Sequence, residues 1–473
     1  MIRNAIRLLK RAILVAIGRL GYAIVKLPKE PLIEAKPPAA GESRPQPSAK
    51  LEGTPKTELE KAKQKGLAHS TRICRDDLGL DFLEPLKTYV HLQHRYRQEL
   101  RKDHSTIRII GADWLKNIGQ IAHLDIYFKL KALQMLEPGE TIICLDGVTP
   151  ANQSLLSYYT PLADRVVPDR ASLGVAAELM EFLEESTVTV RLIDGRAEHY
   201  HSLFYDVGIA WQQQARPPLV SLRPKHRADG RRWLSSLGLP NDAWFATFHC
   251  RTTAKHHDLR SVSVQTYERA MEAVVRAGGW VVCMGSDHEF AHPKIINREN
   301  HRTLDDDWKD VFLLAACRFF VGCTSGPADV VNGFGVPSIK VNTLQIGSQA
   351  AYNHDLFIMK LFRSRQSGRL LTIAEILEHV GTAIGWQTSQ PDALGLDVVD
   401  NAPEEIEAVV REMIERLDGT AAAPEPWEEV AQQRLREFRQ IAALGQGPIM
   451  AGKSRMGRDF LRRHAPALGL RNV

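Results

Sequence analysis

The 473-residue sequence lacks the motifs that identify a disulfide framework, a metal site or a nucleic-acid-binding module. Its six cysteines form no C-x-x-C pair, and most lie within apolar runs, which is typical of buried free thiols. It has no cluster of His and Cys at the spacing of metal ligands, and no basic stripe is interleaved with aromatic residues. We therefore expect no metal, no other cofactor and no nucleic-acid partner.

Long apolar runs are also absent, which argues against a transmembrane helix and a signal peptide at the N-terminus. In residues 1–27, however, basic and aliphatic side chains share opposite helical faces. The basic face has Arg3, Arg7, Lys10 and Arg11, and the aliphatic face has Ile2, Ile6, Leu9, Ile13 and Ile17. Such a helix suits the surface of an anionic membrane, and packing on the protein's own core is the alternative. We expect a cytoplasmic protein, peripheral at the inner face of the membrane.

The composition is that of a globular protein, with 25% charged and 44% hydrophobic residues and a net charge of +5. Residues 28–70 are rich in Pro, Lys and Glu, which predicts a flexible linker. Short strands then alternate with helices over 71–215 and again over 216–400. This alternation is typical of βαβ units, so we predict an α/β protein with two Rossmann-like domains and a cleft between them. Residues 401–473 are predicted to form C-terminal helices.

The stretch "CTSGPADVV", residues 323–331, places a small, hydroxyl-rich turn between an apolar strand and a helix. Pro327 fits the first helical position, so Gly326, Ser325 and Thr324 stand at and before the helix cap. Open backbone N–H groups among small side chains can bind an anion, although a plain cap has the same pattern. Because the ends of parallel strands face the cleft, an anion bound here would belong to a ligand.

The first βα loop of the N-terminal domain reads "GADWLKNIGQIAHLDIY" and should face the cleft opposite this turn. Gly119 lets a backbone approach closely, and His123 and Asp125 stand at the start of the following helix. A ligand hydroxyl that gives up its proton needs a base whose pKa is near neutrality, so His123 and then Asp125 are the catalytic candidates. Asp329, in the first turn of the other helix, would repel a phosphate and is expected to face a ligand hydroxyl.

Several motifs of the C-terminal half follow one another in a recognisable order. They are His249 and Arg251 after a strand, Arg260 before Tyr267, Gly278 to Gly285, Phe319 to Gly326, Phe334 to Pro337, and Lys360 ahead of Glu375. In order and spacing, residues 105–380 resemble a family of bacterial glycosyltransferases that is distantly similar to heptosyltransferases. The resemblance implies a GT-B-like fold, a nucleotide-sugar donor held mainly by the C-terminal domain, and catalysis without a metal.

The donor-binding candidates combine this resemblance with charge. Arg251, Arg260 and Lys360 could neutralise a diphosphate. The full set is His249, Arg251, Arg260, Gly285, Thr324, Ser325, Gly326, Pro327, Asn342, Lys360 and Glu375. One departure is Cys283, where the resemblance leads us to expect an arginine. If that arginine contacts the donor, its loss affects donor preference or activity.

The sequence therefore predicts a glycosyltransferase that acts on a glycan or glycolipid acceptor, in bacterial surface polysaccharide synthesis. A nucleotide-sugar epimerase and a non-catalytic scaffold tethered by the N-terminal helix are the alternatives. An epimerase would change the sugar nucleotide without an acceptor. The donor sugar, the nucleotide, the acceptor and the stereochemical outcome are not specified by these residues.

Overall fold

The structure, a computed structural model, describes residues 83–99, 106–177, 180–251, 258–286, 288–304, 306–344, 354–377, 389–446 and 454–471. These residues belong to one compact unit that spans Gly53–Val473. The predicted N-terminal helix and linker, residues 1–70, lie outside the described residues. None of the helices described is long and apolar enough to cross a membrane.

Helices and strands alternate along most of the chain. The helices are α1 (Leu83–Glu99), α2 (Ile118–Ala122), α3 (Leu124–Ala132), α4 (Gln153–Tyr159), α5 (Met180–Leu183), α6 (Tyr200–Gln213), α7 (Pro224–Ser236), α8 (Gln265–Arg276), α9 (Asp307–Ala316), α10 (Gly326–Gly333), α11 (Ile373–Glu375), α12 (Ser389–Ala393), α13 (Pro403–Asp418), α14 (Pro426–Gln446) and α15 (Arg458–His464). The strands are β1 (Thr106–Ile110), β2 (Gly139–Cys144), β3 (Arg165–Val167), β4 (Thr189–Arg191), β5 (Ala197–His199), β6 (Phe245–His249), β7 (Trp280–Met284), β8 (Ile295–Asn297), β9 (Phe320–Gly322), β10 (Ser338–Thr343), β11 (Leu356–Met359), β12 (Leu361–Ser364), β13 (Leu396–Val399) and β14 (Arg455–Met456).

The first lobe, which contains β1 to β5, is built on a small parallel sheet in the order β1-β2-β3. Ile109 and Ile110 of β1 pair with Ile142 and Ile143 of β2, and all four side chains are buried. The short strands β4 and β5 form an antiparallel pair beside it. The sheet carries fewer strands than the second lobe, but its parallel pairing confirms the predicted α/β class.

The second lobe, which contains β6 to β14, has a seven-stranded sheet in the order β14-β11-β10-β9-β6-β7-β8, and all of its strand pairs are parallel. Because β6, β9 and β10 are parallel neighbours, their carboxyl ends lie together on the same side of the sheet. The edge strand β14 comes from the C-terminal region, where Arg455 pairs with Leu356 of β11. The helices predicted for residues 401–473 are present as α13, α14 and α15, and this region also completes the sheet of the second lobe.

The two lobes share a hydrophobic core. Tyr159 of α4 and Phe128 of α3 belong to the same buried cluster as Phe312 of α9 and Val331 of α10. Polar contacts reinforce this packing at the start of α4. The backbone N–H of Ser154 donates to Oδ2 of Asp307 at 2.8 Å, and Nδ2 of Asn152 donates to the carbonyl of Asp307 at 3.1 Å. The start of α4 is therefore fixed by the other lobe.

Candidate functional site

The turn between β9 and α10 lies where the sequence predicts an anion site. Ser325 is the N-cap residue in an extended conformation, and its side chain makes no capping hydrogen bond. Gly326 is therefore the first helical residue and Pro327 the second, so the helix begins one residue earlier than the sequence predicts. Within the described residues, Oγ1 of Thr324 and Oγ of Ser325 are buried and have no hydrogen-bond partner. The first N–H groups of α10 are therefore left without a side-chain cap beside two unused hydroxyls.

Arg260 holds this turn in place. Its Nε and Nη2 atoms donate to the carbonyl oxygen of Thr324 at 3.0 and 2.5 Å. At the helix start itself, Pro327 has no N–H and the N–H of Ala328 donates to the carbonyl oxygen of Ser325 at 3.0 Å. The turn would therefore attract an anion mainly through the partial positive charge of the helix end. The structure thus gives Arg260 a positioning role at the predicted donor turn.

The first βα loop of the first lobe, which includes Ile118 and Gly119, packs directly against this turn. A Cβ atom added to Gly326 would lie 2.7 Å from Cγ2 of Ile118 and 2.8 Å from the backbone nitrogen of Gly119. A Cβ atom added to Gly119 would in turn lie 3.1 Å from Cα of Gly326. The two predicted halves of the site therefore meet backbone to backbone, and only glycines allow this approach.

His123 lies beside this contact, between α2 and α3. Its Nε2 atom is 3.8 Å from Oδ2 of Asp329, the acidic residue in the first turn of α10. Burial, and after it the positive charge of Lys340, lower the pKa of His123 from its ordinary value to about 4. The imidazole is therefore neutral at pH 7 and keeps an unprotonated nitrogen, but it is a weaker base than the near-neutral one that the sequence predicts.

Asp125, the second catalytic candidate, is placed differently. Its Oδ2 accepts a hydrogen bond from Nζ of Lys129 at 2.5 Å, and both side chains are buried. A Cβ atom added to Gly333 would lie 3.7 Å from Cγ of Asp125, so this carboxylate stands at the far end of α10 from the turn. Burial raises the pKa of Asp125, and Lys129 opposes the rise. These contacts favour a structural ion pair over a base at the turn.

The three predicted cations converge on the buried thiol of Cys323, which immediately precedes the turn. Burial raises the pKa of this thiol, and Arg260, Arg251 and Lys360 oppose the rise in that order. Lys360 also donates to Oδ1 of Asp400 at 2.5 Å, so part of its charge is compensated. The structure therefore brings positive charge to the donor turn from three separate segments of the chain.

His249, at the end of β6, faces the same edge of the sheet. Burial and then the charges of Arg251 and Arg260 lower its pKa to about 4. A Cβ atom added to Gly285 would lie 2.9 Å from Nε2 of His249, so glycine is needed for this packing. Gly285 also has a positive φ of +78°, and its N–H donates to Glu299 at 3.0 Å. Gly285 thus shapes the site, while its amide is already used.

Two other predicted donor residues are engaged in structural contacts. The Asn342 backbone has a φ of +54°, and Asn342 and Asn401 each accept the other's backbone N–H, at 2.6 and 2.7 Å. Glu375 closes a capping box with Thr372 at the start of α11 and accepts from Nη1 of Arg369 at 2.8 Å. The contacts of Glu375 favour a capping role over donor binding.

Cys283 lies in the core of the second lobe. Its Sγ atom is 3.9 Å from Sγ of Cys250, and both side chains are fully buried. All five cysteines in the described part of the chain are buried and free. The side chain at position 283 therefore packs in the core of the second lobe.

Lys340 is a residue of this site that the sequence reasoning missed. It lies on β10 with only 4% of its surface exposed, and its charge acts on His123 across the lobe boundary. The signal for it was a single charge inside the apolar run "VPSIKVN". Charged residues seldom stand unpaired in a central strand.

Comparison with known proteins finds weak structural similarity to solved glycosyltransferases. No protein-family model matches the sequence, and no curated protein matches it. A glycosyltransferase family 9 structure from Veillonella parvula matches with a TM-score of 0.39 and 12% identity, over 67% of this chain and 98% of that chain. E. coli ADP-heptose LPS heptosyltransferase II matches with a TM-score of 0.33 and 20% identity, over 50% and 84% of the two chains.

A third match is E. coli heptosyltransferase WaaC with ADP-2-deoxy-2-fluoro heptose, with a TM-score of 0.28 and 10% identity, over 61% of this chain and 98% of that chain. Because these TM-scores are below 0.5, the function of this chain is inferred from the residues of its own site.

Proposed function

We propose that the protein is a glycosyltransferase that moves a sugar from a nucleotide-sugar donor to a glycan or glycolipid acceptor, in bacterial surface polysaccharide synthesis. The observation that carries this proposal is the contact between the two lobes. His123 of the first lobe meets the uncapped start of α10 and its surrounding cations. These contacts support a neutral base and an anion-binding turn at one boundary.

The donor side follows from electrostatics. The N-terminal end of α10 carries a partial positive charge, which favours an anion beside the turn. Arg251 adds a full charge, and Arg260 keeps the turn in shape. A diphosphate bound here would be stabilised in the ground state and further stabilised as it leaves with the bonding electrons.

The acceptor side follows from His123. Its neutral imidazole would take the proton of the acceptor hydroxyl as the acceptor oxygen bonds to the anomeric carbon and the bond to the diphosphate breaks. Asp329 is near enough to orient the ring and to stabilise the imidazolium that forms. His123 is preferred to Asp125 because the Asp125 carboxylate is already paired with Lys129.

Donor binding is tested first. Thermal-shift measurements with ADP, UDP, GDP and their sugars should identify a nucleotide, since a ligand at 100 times its Kd adds about 2.7 kcal/mol of stability. In calorimetry, Arg251→Ala should then lose about 1.5–3 kcal/mol of affinity for that nucleotide. Arg318→Ala is the matched control. Arg318 lies before β9, at the end of that strand away from the turn, and pairs with Asp418. Equal nucleotide affinity of the wild type, Arg251→Ala and Arg318→Ala would show that Arg251 does not contact the donor.

Turnover separates the proposed reaction from other uses of the same site. His123→Ala should abolish sugar transfer while it leaves nucleotide affinity within about twofold, and Asp125→Asn should retain transfer if it folds. Conversion of the sugar nucleotide without an acceptor would instead identify an epimerase. A nucleotide that binds but is never converted would indicate a binding protein, and absence of nucleotide binding would contradict the proposal.

A further inference from the structure

Lys340 occupies the face of β10 that looks toward α10 and the first lobe. Its neighbours along the strand, Ile339 and Val341, are fully buried in the core of the second lobe. Because side chains alternate along a strand, Lys340 points to the opposite face. On β9 it pairs with Gly322, and Phe320, which shares this face, packs in the cluster that includes residues of α10.

The ammonium group of Lys340 has no counter-ion within the described part of the chain. Its side chain forms no hydrogen bond and no ion pair there, although only 4% of the residue's surface is exposed. The other buried lysines of the site region are paired, Lys129 with Asp125 and Lys360 with Asp400, each at 2.5 Å. A buried and unpaired charge destabilises the folded protein. Such an arrangement is understandable where a ligand supplies the missing anion.

The surroundings of Lys340 suit an anionic ligand. Lys340 pairs with Gly322, three residues before Ser325, whose Oγ is buried without a partner, as is Oγ1 of Thr324. On the side of the first lobe stands His123, and the acidic group facing that histidine is Asp329, 28% exposed and on α10. Among the described residues this carboxylate forms no ion pair with Lys340, so the lysine's charge is left for another partner.

We propose that Lys340 binds the phosphate or diphosphate group of the ligand at the boundary between the lobes. This rests on the proposed function only in naming the ligand as a sugar donor or a phosphorylated acceptor. The anion would neutralise the positive charge of Lys340, which acts on His123. His123 would then become a stronger base once the ligand is bound, so charge neutralisation at Lys340 would couple binding to proton transfer.

The test compares a charge-free variant with a matched lysine. Lys340→Met keeps the length of the side chain and removes its charge, and Lys340→Arg keeps the charge. Binding of inorganic pyrophosphate, a nucleoside diphosphate and a hexose phosphate is measured by calorimetry, and unfolding midpoints are measured without ligand. We expect at least a tenfold loss of affinity for Lys340→Met, a smaller loss for Lys340→Arg, and a midpoint for Lys340→Met at or above that of the wild type.

Lys129→Met is the control, because it removes a buried lysine that has a partner and leaves Asp125 buried and uncompensated. Its midpoint should fall and its anion affinity should stay within twofold. Unchanged anion affinity of Lys340→Met, or a midpoint lowered as in Lys129→Met, would overturn the proposal, as would a wild type that binds none of the three anions. A loss confined to the nucleotide assigns Lys340 to the donor, and a loss confined to the hexose phosphate assigns it to the acceptor.

The two proposals fail in different ways. A wild type that binds pyrophosphate through Lys340 but transfers no sugar would refute the glycosyltransferase assignment and leave the lysine's role standing. If the wild type transfers sugar and its anion affinity does not depend on Lys340, the glycosyltransferase assignment stands and the role of Lys340 is refuted.

Discussion

At the scale of single residues, the contact between Gly119 and Gly326 at the lobe boundary determines what a Gly326 substitution changes. The sequence alone predicts that a bulky side chain at Gly326 blocks a phosphate. In the structure, that side chain would first meet Gly119 of the other lobe, with Cβ 2.8 Å from its backbone nitrogen. Because both partners are backbone atoms, neither can rotate away as a side chain could.

We therefore predict that Gly326→Val separates the lobes as well as weakening donor binding. Gly119→Ala should act in the same direction but more weakly, because its Cβ contact with Gly326 is 3.1 Å. The expected loss of stability is about 1–3 kcal/mol for overpacking, measured by urea unfolding, with an increase in radius of gyration by small-angle scattering.

Gly208→Ala is the control, since Gly208 lies in α6 and a Cβ atom there meets nothing within 4 Å. This variant should match or exceed the wild type in stability. A Gly326→Val protein with the stability and scattering of Gly208→Ala would show that the two glycines are not in contact in solution.

The residue scale also shows what sequence reasoning can and cannot reach. The small turn at Thr324–Gly326 was predictable because cap position, side-chain size and strand end are all local properties. The surroundings of Lys340 were not, since they depend on residues of the other lobe such as His123. The core position of Cys283 depends on which face of β7 is covered, which a nearly continuous apolar run does not specify.

At the scale of elements, α4 illustrates a helix whose start is completed by another part of the chain. Its own N-cap, Asn152, accepts the N–H of Leu155 at 2.6 Å, and Asp307 of α9 accepts the N–H of Ser154. The capping residue Asn152 is visible in the sequence, whereas Asp307 is 153 positions away from Ser154. The same limit applies to the sheet, where alternation predicts the strands but not that β14 covers the edge of β11.

We predict that Asp307→Ala lowers the free energy of unfolding by about 0.5–2 kcal/mol, as expected for the loss of a capping side chain. Asn152→Ala should cost a similar amount, and the double variant should be coupled because both groups serve one helix start. Equilibrium unfolding in urea measures all four proteins. Exposed Asp242 provides the control, and an Asp307→Ala protein as stable as Asp242→Ala would mean that the cross-lobe cap contributes nothing.

At the scale of the whole molecule, the strand and helix pattern was sufficient to predict two parallel-sheet lobes. The relative sizes of the sheets were not predictable, because they depend on which short segments pair. The predicted membrane anchor, residues 1–27, lies outside the described residues and stays a prediction from the basic and aliphatic faces of that sequence.

We predict that the full chain co-sediments with anionic vesicles and that deletion of residues 1–27 abolishes this. Each basic residue near such a surface contributes about 1 kcal/mol, so glutamine at Arg3, Arg7, Lys10 and Arg11 should weaken binding nearly as much as the deletion. Vesicles of neutral lipid are the control. If the truncated protein sediments as well as the full chain, residues 1–27 are not the membrane anchor.

The buried thiols of the two lobes have a practical consequence. A cysteine-modifying reagent reaches Cys250, Cys283 and Cys323 only when the second lobe opens, and reaches Cys144 only when the first lobe does. The alkylation rate of each peptide, followed by mass spectrometry, therefore reports the opening equilibrium of its own lobe without any introduced label. A nucleotide held at the turn would slow modification of the first three thiols more than that of the fourth, so the chain carries a built-in reporter of where its ligand binds.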